Sequence, residues 1–242
     1  MSKMKFGAFA LSILMIVSSC DWSNVQKGLA AGGGLGAILG GVTGRLVGKD
    51  TKGTVIGAAV GTAVGATAGL LIGKKMDKAK AAAAAVNNAQ VQTITDANDL
   101  EALKVTFDSG ILFASGKSDL SSSAKSSLQK FATTVLIPNS DMDVVIKGHT
   151  DNTGFKGVTS QEENDKRNLQ LSYNRAGAVS NYLLEQGVQA KQIRAVDGYG
   201  PYDPIADNST AYGKQQNRRV EVYLYASEAM IKAAEAEAAS SR

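Results

Sequence analysis

The pattern of apolar and polar positions changes its period along the chain, and each period predicts a different kind of element. Residues 6–17 form a single apolar run close to the N-terminus. Residues 32–73 repeat glycine at every fourth position in two runs, with Ala, Val, Leu and Ile in most of the gaps. Beyond residue 100 the period switches between two and about 3.6, which predicts strands alternating with helices. The chain therefore divides into an apolar leader, a small-residue repeat and a region of mixed secondary structure.

The region beyond residue 100 predicts four strands and two helices. Apolar patterns of strand length lie at residues 103–107, 142–146, 193–196 and 220–225. The first helix is predicted to be capped by Ser121-Ser122 and to end at Pro138. Its apolar face consists of Leu128, Phe131, Ala132 and Val135. The second helix covers residues 169–186 and stops at Gly187. The order β-α-β-α-β-β predicts an α+β fold with helices packed on a mixed sheet.

The segments on either side of this region predict simpler structure. Residues 74–100 are first charged and then rich in alanine, which favours a helical spacer. Residues 227–242 are rich in Ala and Glu and predict a helical or disordered tail. The folded domain is therefore expected to span residues 101–226, with a turn or bulge at residues 108–110.

The glycine repeat predicts a helical hairpin. It has two runs, residues 32–48 and 53–73, separated by a charged link at residues 49–52. Glycine in a helix costs about 1 kcal/mol relative to alanine, so close backbone packing must compensate, as it does in GxxxG helix pairs. Residues 28–73 therefore resemble the glycine-zipper segments of bacterial envelope proteins.

Three interpretations of this repeat stay open. Each arm has about 20 residues, a helix of about 30 Å, which is close to the thickness of the hydrocarbon layer of a bilayer. The hairpin can therefore insert into a membrane, although Arg45 in the first arm disfavours deep burial. It can also lie at a surface and self-associate through its glycines. A flexible Gly/Ala linker is the third interpretation.

The N-terminus has the form of a secretory signal over residues 1–19, with lysines before an apolar stretch that is short for a membrane span. Val17-Ser18-Ser19-Cys20 then resembles the bacterial lipobox. The resemblance implies cleavage before Cys20 and acylation there, for example by diacylglycerol and palmitate, so that residues 20–27 are held at a membrane. An ordinary cleaved signal with a chance cysteine is the alternative interpretation.

Composition excludes several classes of function. The formal net charge is only +4 and no dense block of Lys or Arg occurs, so nucleic acid is not an expected partner. One cysteine and one histidine exclude an internal disulfide and a zinc site of several Cys and His ligands. No cofactor or metal is expected. His149 has no recognisable nucleophile or paired acid beside it, so an enzyme is not expected either.

A set of ordered motifs gives the most specific functional signal. They are GHTDN at residues 148–152, NLQLS at 168–172, RA at 175–176, GYG at 198–200, PIADN at 204–208 and NRRV at 217–220. Together they resemble the signature of the OmpA-like peptidoglycan-binding domain, and the similarity runs from about residue 103 to residue 225. The resemblance implies the fold described above.

The resemblance also implies which residues hold the ligand. In that family the residues that correspond to Asp151 and Arg175 bind diaminopimelate in the stem peptide of peptidoglycan. Diaminopimelate ends in an ammonium and a carboxylate, which a carboxylate and a guanidinium can bind respectively. Further matching positions border the ligand or shape its loop: Asn168, Leu171, Thr150 and Asn152. Asn208, Arg218 and Arg219 are expected to be structural or to contact the glycan.

One departure from the family pattern lies between the two key residues. Thirteen residues, 155–167, separate Gly154 from Asn168, where family members commonly have about seven. The inserted segment is highly charged and is expected either to lengthen the second helix or to form a surface loop. It is placed to alter the pocket and hence the fine specificity.

These features predict a tether that binds peptidoglycan without cutting it. Acyl chains hold one end in a membrane, the hairpin packs on or in that membrane, and the C-terminal domain holds diaminopimelate. We expect the periplasmic face of the outer membrane, with the inner membrane as the alternative. A membrane-inserting or self-assembling protein driven by the glycine zipper is the second hypothesis, and a wall-cleaving enzyme is the least favoured.

Overall fold

The computed structural model describes residues 64–241, which form six helices and five strands. The helices are α1 (Ala66–Ala84), α2 (Ser109–Leu112), α3 (Ser122–Phe131), α4 (Gln161–Glu185), α5 (Ala211–Asn217) and α6 (Glu228–Ser240). The strands are β1 (Ala89–Thr95), β2 (Glu101–Asp108), β3 (Met142–Gly148), β4 (Ile193–Gly198) and β5 (Arg219–Ala226). A π-helical turn (Ala132–Leu136) and a 3-10 turn (Ile137–Asn139) extend α3, and a second 3-10 turn (Ala190–Gln192) precedes β4.

The five strands form one mixed sheet in the order β1-β2-β5-β3-β4. Only β3 and β4 are parallel; the other neighbours are antiparallel. The last strand in sequence, β5, therefore lies at the centre of the sheet, between β2 and β3. This arrangement confirms the predicted α+β fold with helices packed on a mixed sheet.

Alternation along the strands builds the main core on one face of the sheet. Val220, Val222 and Leu224 of β5 are fully buried there, beneath apolar residues of the helices. Phe107 of β2 meets Phe131 of α3 edge to face, with 5.6 Å between ring centroids. The intervening residues of β5 are polar or aromatic and point to the opposite face.

The predicted helical spacer is wrong for residues 89–95. These residues form β1, an edge strand paired antiparallel with β2, and α1 ends at Ala84. Val91 and Ile94 of β1 are three positions apart and pack against the apolar clusters on opposite faces of the sheet, so the strand shows no period of two in the sequence. Helix α1 buries Ile72 and Met76 in the same core, so the folded unit begins well before residue 101.

The glycine hairpin falls almost wholly outside the described residues, as do the predicted signal, Cys20 and residues 20–27. Its last part, residues 66–73, is the start of α1. Apart from chain neighbours and the backbone of α1 itself, no described atom comes within 4 Å of the Cβ position at Gly65, Gly69 or Gly73, so these three glycines make no close contact with another described element. Within residues 64–241 no helix is both long and apolar enough to cross a bilayer.

Side-chain caps set where several helices begin, and some of these starts differ from the predicted ones. The carboxylate of Asp108 accepts from the Gly110 N–H at 2.6 Å and starts α2, where a turn or bulge was predicted. Ser121 caps α3 as predicted. Helix α4 begins at Gln161, eight residues before the predicted start at residue 169, because Ser160 caps it. The short helix α5 was not predicted, and the tail forms α6.

Candidate functional site

A cleft of about 660 Å³ lies where three parts of the domain meet. One wall comes from residues 109–116 around α2, a second from residues of the 150–156 segment that follows β3, and the third from α4. Arg218, directly before β5, completes the lining.

Two glycines at the ends of parallel strands bring α4 against the cleft. A Cβ on Gly148, the last residue of β3, would lie 2.0 Å from the carbonyl oxygen of Ser172. A Cβ on Gly198, the last residue of β4, would lie 2.5 Å from the backbone nitrogen of Tyr173. The hydroxyl of Ser172 also accepts from the Gly200 N–H at 2.9 Å. Close contact of α4 with the strand ends therefore sets where its side chains enter the cleft.

Asp151 follows β3 and is 5% exposed. One carboxylate oxygen accepts from the Thr153 N–H at 2.8 Å, and the other accepts from the Arg218 guanidinium at 2.5 Å. Burial alone would raise the pKa of Asp151, but these hydrogen bonds together hold that pKa below its usual value. The carboxylate is therefore ionised at neutral pH and already has an internal cationic partner.

Arg175 lies on α4 and is 4% exposed. Its Nε donates to the carbonyl of Lys117 at 3.0 Å, and its guanidinium lies 5.2 Å from the centroid of the Phe113 ring. Its two terminal nitrogens have no hydrogen-bond acceptor in the described part of the chain. Burial, with a smaller contribution from the charge of Arg218, lowers the pKa of Arg175 to about 10, so the side chain stays charged at neutral pH.

The other predicted site residues divide into two groups. Asn168, Leu171 and Thr150 line the same cleft as Asp151 and Arg175. The Asn168 amide donates to the carbonyl of Thr153 at 3.0 Å and ties α4 to the loop. Asn152 is exposed and is not part of the lining.

Arg218 and Phe113 are cleft residues that sequence reasoning did not assign to the ligand site. Arg218 lies within the NRRV motif, which was recognised, and it was expected to be structural or to contact the glycan. Its pairing with Asp151, 67 residues earlier in the chain, depends on β5 lying beside β3. Phe113 lies outside the ordered motifs, so no sequence signal pointed to it.

The inserted segment forms both a loop and an extension of α4. Buried Asn164 holds the loop: its side-chain oxygen accepts from the Phe155 N–H at 2.6 Å, and its amide donates to the carbonyls of Val158 and Ser160. Phe155 and Lys156 consequently line the cleft. The predicted effect of the insertion on the pocket therefore has a structural basis.

His149 lies outside the cleft lining, in a buried polar cluster on the opposite face of the sheet. Its Nε2 is 3.4 Å from the carboxylate of Glu221, and its ring stacks on Tyr199 at 5.2 Å. Burial lowers the pKa of His149, while the same contact with Glu221 opposes that shift. Among the described residues the site thus offers charged and amide groups for binding, and the histidine does not face the cleft.

Comparisons with known proteins agree with this geometry. Residues 112–218 match the model of the OmpA family, and residues 1–77 match that of the YMGG-like Gly-zipper. Outer-membrane lipoprotein YfiB of Pseudomonas aeruginosa is 34% identical over 116 residues, which are 48% of this chain and 62% of that protein. Peptidoglycan-binding protein ArfA of Mycobacterium tuberculosis is 43% identical over 84 residues, 35% of this chain and 23% of that protein.

A solved structure shares the fold. A crystal structure described as a MotB-like protein from Desulfovibrio vulgaris superposes with a TM-score of 0.54 and 21% identity, covering 65% of this chain and 96% of that one. The chain spans less than two thirds of the length of the curated relatives it matches. The resemblances to the OmpA-like domain and to the glycine zipper are both confirmed. The region that carries the cleft is therefore a domain of the OmpA family, and it follows a segment of the YMGG-like Gly-zipper type.

Proposed function

We propose that the OmpA-family domain binds peptidoglycan without cleaving it, by recognising diaminopimelate in the stem peptide. One observation carries the proposal: Asp151 and Arg175 line the same cleft although they lie on different elements. The OmpA match, and a relative named as a peptidoglycan-binding protein, support the cell wall as the ligand.

The chemistry of the cleft suits the zwitterionic end of diaminopimelate. The carboxylate of Asp151 keeps acceptor capacity beyond its two present hydrogen bonds, because its two oxygens together offer about four lone-pair sites. It can therefore receive the ammonium. The free terminal nitrogens of Arg175 can donate two parallel hydrogen bonds to the carboxylate. A stem peptide with lysine at this position lacks that carboxylate and would leave Arg175 buried without a partner.

The groups that face the cleft support binding without hydrolysis. The histidine that could serve as a base has both ring nitrogens buried, and it lies outside the lining. Among the described residues of the lining, Asp151 supplies the one carboxylate, and it is held ionised, so it would be a poor proton donor at neutral pH.

The proposal includes a lipid anchor on Cys20 and an envelope location. YfiB, a relative named as an outer-membrane lipoprotein, supports this part. A lipid anchor and a wall-binding domain on one chain raise the effective concentration of each attachment, so the wall site need not bind tightly. The outer membrane is the proposed location, with the glycine-zipper segment at or in the bilayer and available for self-association.

Co-sedimentation of the full chain in detergent with purified sacculi tests the proposal. We expect binding to diaminopimelate-type sacculi and little binding to lysine-type sacculi. Asp151→Ala and Arg175→Ala should each lower the affinity by about ten-fold or more, since each removes hydrogen bonds between charged groups. Cys20→Ser should leave sacculus binding intact and release the protein from membranes.

Arg167→Ala is the matched control, because Arg167 lies on the same helix, pairs with Glu163 and lies outside the cleft lining. Unfolding curves establish that each variant folds. If a folded Asp151→Ala/Arg175→Ala double variant still sediments with the sacculi, the site is wrong. Release of soluble muropeptides by the purified protein would refute binding without cleavage.

A further inference from the structure

The charges that line the cleft are unbalanced. Within residues 64–241, three cationic side chains, Lys156, Arg175 and Arg218, share it with a single carboxylate, that of Asp151. The Arg218–Asp151 pair accounts for one cation and the carboxylate. Two cations are left to face a ligand, whereas the end of diaminopimelate offers only one carboxylate.

Neither remaining cation makes a direct ion pair in the described part of the chain, although the nearby charge of Asp151 favours the charged form of Arg175. Arg175 donates only to a backbone carbonyl and contacts an aromatic ring. Lys156 is exposed and makes no ion pair or hydrogen bond within residues 64–241. An unpaired cation at the rim of a binding cleft attracts an anionic group of the ligand, because partial desolvation strengthens the interaction.

The position of Lys156 is defined, although its side chain is exposed. The preceding residue, Phe155, is hydrogen-bonded through its N–H to buried Asn164, and the carbonyl of Val158 accepts from the same side chain. Gly154 packs against this amide, since a Cβ there would lie 3.2 Å from it. The inserted segment therefore presents Lys156 from a fixed loop.

We propose that Lys156 is a specificity-determining residue that binds a second carboxylate of the stem peptide. This inference rests on the proposed function. Two carboxylates of a stem peptide qualify: the α-carboxylate of the glutamate that precedes diaminopimelate, and the carboxylate at the C-terminus of the peptide. Amidation removes the charge of either one, so the domain distinguishes free from amidated stems.

The test measures whether a substitution at Lys156 and amidation of the ligand have independent effects on affinity. The full chain in detergent is titrated calorimetrically with the tripeptide L-Ala-γ-D-Glu-diaminopimelate, and with two forms amidated either at the glutamate α-carboxylate or at the C-terminal carboxylate. We expect one amidation to weaken binding to the wild-type protein by about three-fold, the effect typical of an exposed ion pair. Lys156→Gln should weaken binding of the free tripeptide by the same factor and be insensitive to that amidation.

Lys166→Gln is the control, because Lys166 belongs to the same insertion but pairs with Glu162 and lies outside the lining. Lys156→Glu should weaken binding of the free tripeptide more than Lys156→Gln does, and added salt should reduce the difference between the wild-type protein and these variants. If the effects of Lys156→Gln and of both amidations simply multiply, the assignment of Lys156 is wrong while peptidoglycan binding stands. If the wild-type protein binds none of the three peptides, the proposed function and this inference both fall.

Discussion

At the scale of the residue, different neighbours stabilise the buried charged side chains of this domain. Asp151 has a guanidinium and a backbone N–H, whereas Arg175 has an aromatic ring and one carbonyl. Lys147 on β3 is 3% exposed, and its Nζ lies between the rings of Tyr199 and Tyr223, at 5.2 and 4.8 Å from their centroids. It has no hydrogen-bond partner among the described residues. Its charge is therefore stabilised mainly by the rings and by distant carboxylates.

The burial of Lys147 predicts a pH-dependent stability. Burial lowers its pKa to about 8, with an opposing contribution from Glu221, whereas the unfolded chain keeps the usual 10.5. Between these values the unfolded state binds more protons, so this group's contribution to the free energy of unfolding rises with pH. Lys147→Met should raise the free energy of unfolding at pH 7 by up to about 3 kcal/mol, and the gain should vanish above about pH 10.5.

Denaturant titrations of the wild-type chain and Lys147→Met at several pH values check this prediction. Only the difference between the two proteins is interpreted, because burial also raises the pKa of Tyr199 to about 12. A difference that stays constant from pH 7 to pH 11 would contradict it.

At the scale of the element, the approach of α4 to the ends of β3 and β4 depends on glycine. Gly148→Ala would drive a methyl group into the backbone of Ser172, so α4 must move away from the strand ends. We expect a loss of stability on the order of 3 kcal/mol and weaker sacculus binding, because Arg175 moves with the helix. Thermal unfolding and co-sedimentation measure the two effects.

Gly177→Ala supplies the comparison within α4. No described atom lies within 4 Å of its Cβ position, and alanine favours a helix over glycine by about 1 kcal/mol. This substitution should therefore stabilise the domain and leave binding unchanged. If Gly148→Ala and Gly177→Ala changed stability and sacculus binding equally, close contact with Ser172 would not be what positions α4.

At the scale of the whole molecule, segments on both sides of the OmpA match belong to one core. Helix α1 packs against β1, β2 and α6, and its Met76 is fully buried. Met76→Ala should lower the free energy of unfolding of the entire domain by about 2–5 kcal/mol, the usual range for a buried methionine.

Leu70→Ala is the control for this prediction, since Leu70 is on the same helix but 68% exposed. It should change stability by no more than about 0.5 kcal/mol. Calorimetry of the full chain would contradict a shared core if α1 melted in a separate transition and Met76→Ala shifted only that one.

The sequence by itself determined most strands and helices, because local patterns predict them. It also provided candidate site residues, because they lie in ordered motifs. Periodicity predicted β2, β3, β4 and β5, and Ser121 correctly marked the start of α3. Periodicity did not predict β1, because Val91 and Ile94 of this edge strand are three positions apart and give no period of two. The ordered motifs, through their resemblance to the OmpA-like domain, named Asp151 and Arg175 as candidate ligand residues.

Tertiary structure alone decided which charges meet. Strand β5 enters the centre of the sheet, and this brings Arg218 to Asp151. The folding of the insertion onto Asn164 brings Lys156 to the cleft. Such contacts join residues that are distant in sequence or fixed by a loop's own packing, and neither local propensity nor a motif contains that information. The balance of charge in the cleft, on which the proposed specificity rests, is therefore a property of the folded chain.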